Sequence, residues 1–149
     1  MAQMRLTSPE FKENGRIPAK YTCDGDNISP ELRIAGTPPG TKSLALVLED
    51  PDAPNGLWVH WIVWNIDPGT TTLAQQAQPR ESVIGRNSWG HSKYGGPCPP
   101  SGTHRYVFRL YALDAQLDLA GTASKGQLNV AMEGHVLAEA VLTGLYGES

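Results

Sequence analysis

Sixteen glycines and twelve prolines in a chain of 149 residues fall between short apolar runs instead of gathering in one block. This punctuation limits what the chain can build. Apolar runs that short, closed by turn formers, favour many strands and tight connections over long helices. Ser43 to Glu49 (SLALVLE), bounded by Gly40 and Pro51, predicts a buried strand, and Val59 to Ile66 (VHWIVWNI), stopped by Asp67-Pro68-Gly69, predicts another. His104 to Asp114 (HRYVFRLYALD) is the clearest strand. Alternation sets His104, Tyr106, Phe108, Leu110 and Ala112 on one face and Arg105, Val107, Arg109 and Tyr111 on the other. Residues 8–40 carry turn formers such as Ser29-Pro30 and Thr37-Pro38-Pro39-Gly40 and predict short strands joined by loops. Residues 67–103 show little periodicity, and an irregular region of that length inside a compact domain is usually functional.

The end of the chain changes character. Ser124-Lys125-Gly126-Gln127 fits a capping box, and the helix formers that follow predict a helix from Gln127 to Leu142. Leu128, Ala131, Met132, Val136 and Ala140 lie near one face of that helix, His135 sits on it, and Gly144 serves as its stop signal. The expected fold is mainly β: an antiparallel β-sandwich with peripheral helices, one of them C-terminal, in a single domain over residues 1–149. There is no internal repeat and no linker. A hydrophobic fraction of 40% at this length is enough for a core without covalent staples.

Charge narrows the function classes. The formal net charge is −3, and the twelve Lys and Arg residues are scattered. Nucleic-acid binding would call for a basic stripe, and tight docking on anionic membranes for a polybasic segment, so neither is expected. The opening residues Met1 to Ser8 offer no apolar stretch for a signal peptide, and no run approaches the ~20 residues of a membrane span, which makes the cytoplasm the expected location. Cys23 and Cys98 form no CxxC pair. Two reduced, partly buried thiols are the plainer expectation; the alternative is a disulfide tying the first loop to the glycine-rich loop.

Four segments can carry chemistry: Asp50-Pro51-Asp52-Ala53-Pro54, His60, Gly95-Gly96-Pro97-Cys98-Pro99-Pro100 and His104-Arg105-Tyr106. Each lies at a strand end or in the loop beside it. Asp50 and Asp52 flank a proline, which reads either as an Asp-rich turn or as a rigidly aimed carboxylate. His60 shares a strand face with Ile62 and Trp64 by simple alternation, and a lone histidine there is more often a core residue than a catalyst. His104 changes the balance, because it too opens a strand and its side chain points the same way as that of Tyr106, about 7 Å along. If the two histidine-bearing strands lie side by side, two imidazoles, a phenol and a carboxylate converge. Gly95 and Gly96 can take positive φ and turn backbone N–H groups toward a ligand. The loop has no GxxxxGK[ST] pattern, so nucleoside triphosphates are not indicated.

These strings together, LEDPDAP, the histidine after it and YGGPCPPSGTHRY, resemble the phosphatidylethanolamine-binding protein family, and CDGDNISPEL and AMEGHVLAEA resemble its bacterial and archaeal, Raf kinase inhibitor-like branch. The resemblance spans nearly the whole chain. It implies an antiparallel β-sandwich with a small pocket for phosphate or phosphoryl headgroups, lined by Asp50, His60, Gly96, Pro99, Pro100, His104 and Tyr106. It also marks departures: a shorter stretch between Pro54 and His60, cysteine at Cys98 where eukaryotic members commonly have glycine, and no overhanging C-terminal helical extension. A more open pocket is what that implies, and Raf-kinase inhibition is not carried over. The resemblance implies a kinase or protease as an expected protein partner, and a homodimer is the other assembly considered.

The expected function is therefore binding of a small anion, with a regulatory or inhibitory role and no cofactor. Protonated imidazoles would supply donors and charge, Tyr106 a neutral donor, and Asp50 would fix an imidazole tautomer while repelling a dianion. Affinity should fall as pH rises. The competing class is a hydrolase or lyase using the Asp/His pocket for acid–base chemistry. Ser101 lacks a GxSxG setting, so no nucleophile stands out. A metal site drawn from His60, His91, His104, Asp52 and Cys98 matches no standard zinc spacing. The tryptophans Trp58, Trp61, Trp64 and Trp89 read as core or pocket wall, Asp24 as a turn residue, and His91 as a residue at the pocket entrance.

Overall fold

The computed structural model describes residues 3–54, 56–76 and 79–147. Among the described residues, nine strands form two sheets. A three-stranded sheet runs in the order β1 (Arg5–Thr7), β3 (Leu32–Ala35), β6 (Thr72–Leu73). A six-stranded sheet runs β2 (Gly15–Arg16), β9 (Val136–Gly147), β8 (Thr103–Leu113), β4 (Ser43–Asp50), β5 (Trp58–Ile66), β7 (Val83–Ile84). Every pairing is antiparallel except the short β2–β9 contact, where Gly15 and Arg16 run parallel to Gly144 and Leu145.

The two sheets close on one apolar layer. Leu6, Leu32, Ile34 and Leu73 from the small sheet meet Leu46, Leu48, Phe108 and Leu110 from the large one. The other face of the large sheet is covered by helix α1 (Lys125–Met132) and the chain leading to it, with Leu128, Met132 and Leu117 packed on Val47, Ile62 and Trp64. Because both faces of β4 are covered, all eight of its residues are buried. That is why Ser43 to Glu49 reads as a continuous apolar run rather than an alternating one. The large sheet is the platform for everything that follows, since β4, β5 and β8 all present one end at the same edge of the sandwich.

The expected helix is shorter than its residues suggest. Ser124 accepts from the Gln127 amide while Gln127 Oε1 accepts from the Ser124 amide, so the capping box is formed. Yet α1 ends at Met132, and Gly134 at φ +79° turns the chain back. Residues 136–147 then form β9, paired with β8 from Leu113↔Val136 to Thr103↔Gly147. The helix expected through Leu142 is corrected here: Ala140, Leu142, Gly144 and Tyr146 point into the core at period two, and pairing along the whole of β8 outweighs helix propensity. Gly144 is no stop signal but a close-contact position, where an added Cβ would come within 2.5 Å of Ile17. His135 lies in the link after α1 and bonds Asp114 through Nδ1 at 2.7 Å.

Cys23 and Cys98 are joined in a disulfide across 75 residues. This overturns the plainer expectation of two reduced thiols. The loops around the two residues are brought together independently by Cys23 N–H donating to Pro97 O.

Candidate functional site

β4 lies between β5 and β8, so its last residue comes between the first residues of its neighbours. Asp50 ends β4, His60 sits near the start of β5, and His104 and Tyr106 sit near the start of β8. The histidine-bearing strands do not lie side by side; they are bridged by the strand that supplies the carboxylate. All four side chains belong to buried residues.

A β-bulge sets the direction of His60. Leu48 pairs with Trp61 while Glu49 pairs with Val59, which leaves His60 as the extra residue. Simple alternation would group His60 with Ile62 and Trp64. The bulge breaks it: those two face α1, whereas the His60 ring lies 5.3 Å from the Tyr106 ring, edge to face. The His104 and Tyr106 rings are stacked at 6.3 Å, in keeping with two positions on one strand face.

The two histidines differ in electrostatic setting. His60 Nδ1–H donates to Gly95 O at 2.8 Å, and the Gly95 amide donates back to His60 O at 3.0 Å. Burial lowers the pKa of His60, opposed by the Gly95 carbonyl and by Asp50. The ring is therefore neutral, protonated on Nδ1, with Nε2 an acceptor. His104 Nδ1–H donates to Asp50 Oδ2 at 2.6 Å, and Asp50 Oδ1 accepts from the Asp52 amide at 2.8 Å. Asp50 thus fixes the His104 ring and has both oxygens engaged. Tyr106 is wholly buried and its hydroxyl has no hydrogen-bond partner among the described residues. Its pKa is raised, by burial first and then by Asp50, so it stays a neutral donor; the Cys98 amide pulls the other way without reaching hydrogen-bond geometry.

These groups line a cavity of about 540 Å³ whose rim includes Trp58, Trp89, Pro99 and Pro100. The Trp89 ring stands edge to face against both His60 and Trp58, at 5.0 and 5.4 Å. Asp52 lies just outside, where Arg105 clamps it through its backbone amide, Nε and Nη2 at 2.9–3.0 Å. That clamp lowers the Asp52 pKa to about 2 and ties the DPDAP turn to β8. From the sequence, alternation only sets Arg105 on the strand face opposite His104 and Tyr106; the opposite charges two places beyond Asp50 and one beyond His104 are the signal for its clamp.

Six of the seven expected site residues line this cavity: Asp50, His60, Pro99, Pro100, His104 and Tyr106. Gly96 does not. Its amide donates to Asn27 Oδ1 at 2.8 Å, the Gly95 amide is spent on His60, and neither glycine has positive φ. The loop therefore offers no free amides from these two residues. Glycine is needed at 96 because a Cβ would come within 2.4 Å of Tyr21 O. His91 lines a neighbouring hollow of about 280 Å³, not the cavity entrance, and Asp24 accepts from the Tyr146 hydroxyl. Ser88, also on the rim, has its hydroxyl oxygen occupied by the Val59 amide. A larger open hollow of about 830 Å³ is lined by Asn65, Asp67, Arg80, Gln116 and their neighbours, but among the described residues that line it there is no buried unpartnered polar atom. Among the described residues no group of three or more His, Cys, Asp or Glu side chains is placed to hold a metal ion. None of the described helices is long and apolar enough to cross a membrane.

Comparison with known proteins agrees with this fold. Residues 7–147 match the family model described as phosphatidylethanolamine-binding protein. A protein of Methanothermobacter thermautotrophicus described as a UPF0098 protein is 54% identical over 148 residues, covering 96% of this chain and 98% of its own. The crystal structure of a phosphatidylethanolamine-binding protein homologue from Chlamydia trachomatis superposes with a TM-score of 0.95 at 44% identity over the full length of both chains. Escherichia coli YbcL, described as a member of the mammalian family, gives a TM-score of 0.92 at 32% identity, covering 99% of this chain and 100% of its own.

Proposed function

We propose, on the premise that this chain belongs to the phosphatidylethanolamine-binding protein family, that its cavity binds a singly charged oxyanion that still carries one acidic proton, such as the monoanion of a phosphomonoester. The observation that carries this reading is the unpartnered hydroxyl of the wholly buried Tyr106. A buried donor with no partner costs stability, and it is retained where a ligand satisfies it.

The rest of the site complements such a ligand. Tyr106 O–H donates to one anionic oxygen. His104, when it bears both ring protons, donates Nε2–H to another while Nδ1–H stays on Asp50. His60, held neutral with Nδ1–H on Gly95, offers Nε2 as an acceptor for the ligand's own O–H. A dianion leaves His60 Nε2 without a donor and adds repulsion from Asp50, so it is discriminated against. The outer part of the cavity, with Trp58, Trp89, Pro99 and Pro100, accommodates the group that bears the phosphate. Binding there is the basis of a regulatory role, in which occupancy is read by a protein partner.

Calorimetric titration with methyl phosphate and dimethyl phosphate tests this. Above the second pKa of a phosphomonoester, about 6, the monoanion fraction falls roughly tenfold per pH unit. Methyl phosphate affinity should fall by about that factor between pH 7 and pH 8. Dimethyl phosphate, a monoanion without a proton to give, should bind more weakly at pH 6. Equal affinity for the two esters, or no dependence on pH, defeats the proposal.

A further inference from the structure

We infer that the Cys23–Cys98 disulfide is a thiol-exchange site through which a dithiol reductant loosens the cavity wall and lowers its affinity for anions. The inference rests on the anion-cavity reading above and adds its control.

Cys98 lines the cavity together with Pro99 and Pro100, and with Cys23 it also lines the neighbouring hollow. The other ties between the two loops all lie before Cys98: Tyr94 O–H to Tyr21 O, the Gly96 amide to Asn27 Oδ1 and the Cys23 amide to Pro97 O. On the far side the next anchor is Thr103, which opens β8 opposite Gly147. No hydrogen bond to the described residues holds 98–102. The disulfide is therefore the last fixed point before the two prolines of the wall.

Both cysteines are exposed, so a reductant has access. Exposed disulfides are the labile and regulatory ones, whereas buried structural ones resist the glutathione pool. The fold does not depend on this bond, because both faces of the large sheet are covered by their own apolar layers. The chemistry balances. A thiolate of the dithiol attacks one sulfur and displaces the other cysteine as thiolate; the second thiol then closes the reductant's own disulfide and releases the first cysteine. Two protein thiols form, and the dithiol is oxidised by two electrons. In a reducing compartment the pair is kept open, and in an oxidising one it is closed.

The test uses the purified oxidised protein, dithiothreitol as reductant, and inorganic phosphate as probe. Under native conditions two thiols should appear without loss of the far-ultraviolet β signal. Hydrogen exchange of the Cys23 and Gly96 amides, which bond across the two loops, should then accelerate while that of β4 stays unchanged. The phosphate dissociation constant should rise about three- to tenfold, the scale expected when a pre-ordered contact must be ordered on binding. A Cys23→Ser/Cys98→Ser variant should reproduce the reduced protein without reductant. Resistance to reduction short of denaturant, global unfolding on reduction, or unchanged exchange in both the reduced protein and the variant would each overturn the inference. Should the oxidised protein fail to bind phosphate at all, the anion reading falls, and the exchange measurement alone decides this one.

Discussion

Replacing Tyr106 by Phe should make the protein more stable and a poorer binder at once. The ring is packed between His60 and His104 and would stay there; only the hydroxyl is lost. That hydroxyl is buried without a hydrogen-bond partner. An unsatisfied buried hydroxyl costs about 1–3 kcal/mol. Relaxation of the surrounding groups offsets part of this, so the net gain on removal should be about 0.5–2 kcal/mol. At roughly 2–4 °C per kcal/mol for a chain of this size, Tm rises by about 1–8 °C. Binding moves in the opposite direction. A hydrogen bond to a charged acceptor contributes about 1.5–3 kcal/mol, so phosphate affinity should fall about 10- to 150-fold.

Thermal unfolding with and without phosphate reads both effects in one experiment. At roughly a hundred times the wild-type dissociation constant, phosphate stabilises the native protein by about 2.7 kcal/mol. The same concentration would then stabilise the Phe variant by only about 0.3–1.4 kcal/mol. The variant should therefore lead in Tm without phosphate, and its lead should shrink or invert on adding the anion. A Phe variant less stable than wild type in the absence of anion would mean that the hydroxyl has a structural partner. A variant stabilised by phosphate as much as wild type would mean that it does not touch the ligand. Either result refutes the reasoning.

Three further outcomes follow from the geometry. Because burial holds the folded pKa of His60 below its unfolded value of about 6.5, the fold binds fewer protons than the unfolded chain; this stability is present above about pH 6.5 and drains as pH falls through the lower folded value. His60→Gln should flatten the stability slope on the acid side of that point, read as the urea midpoint against pH, and an unchanged slope would refute the assignment of a neutral ring. Gly95→Ala should swing Trp89 away, since the new Cβ would lie 2.3 Å from Trp89 Cζ3 and that side chain is 43% exposed; the expected readout is a red-shifted tryptophan emission for a stability loss of about 1 kcal/mol. Ser124→Ala removes one half of the capping box at the start of α1 and should lower stability by about 1 kcal/mol in chemical denaturation, without altering phosphate affinity.

What the sequence disclosed depended on how local each determinant was. The spans of β4, β5 and β8 were legible because Gly40, Pro51 and Asp67-Pro68-Gly69 punctuate them and their apolar patterns are long. The convergence of Asp50, His60, His104 and Tyr106 was legible because each lies at a strand end, although the strand order was not: adjacency of the His60 and His104 strands was only a condition, and β4 stands between them. The bulge at His60 has no glycine or proline to announce it, so alternation placed the side chain on the wrong face. β9 was hidden by helix formers whose strand conformation comes from pairing with β8, an interaction between residues far apart in the chain. Gly96 drew attention as an amide donor, but its use by Asn27 depends on a loop some seventy residues earlier. The disulfide was hidden for the same reason, since spacing says nothing about a pair 75 residues apart.

The placement of one carboxylate between two imidazoles explains why the site would sort ligands by protonation state rather than by charge alone. Asp50 lies between the histidine-bearing strands, yet its two oxygens are taken by His104 Nδ1 and the Asp52 amide. His60 makes no direct bond to Asp50, and its Nδ1 instead meets a neutral carbonyl. Had both rings been paired with carboxylates, both could have carried charge, and the cavity would have favoured dianions. Because only one is so paired, the cavity presents the Tyr106 hydroxyl as a donor, a His104 ring anchored through Nδ1 on Asp50, and an acceptor on His60. An acid that has lost one proton and kept another matches all three. The bulge that re-aims His60 brings that acceptor alongside Tyr106, and the side chain of Asp50 reaches only one of its two neighbours.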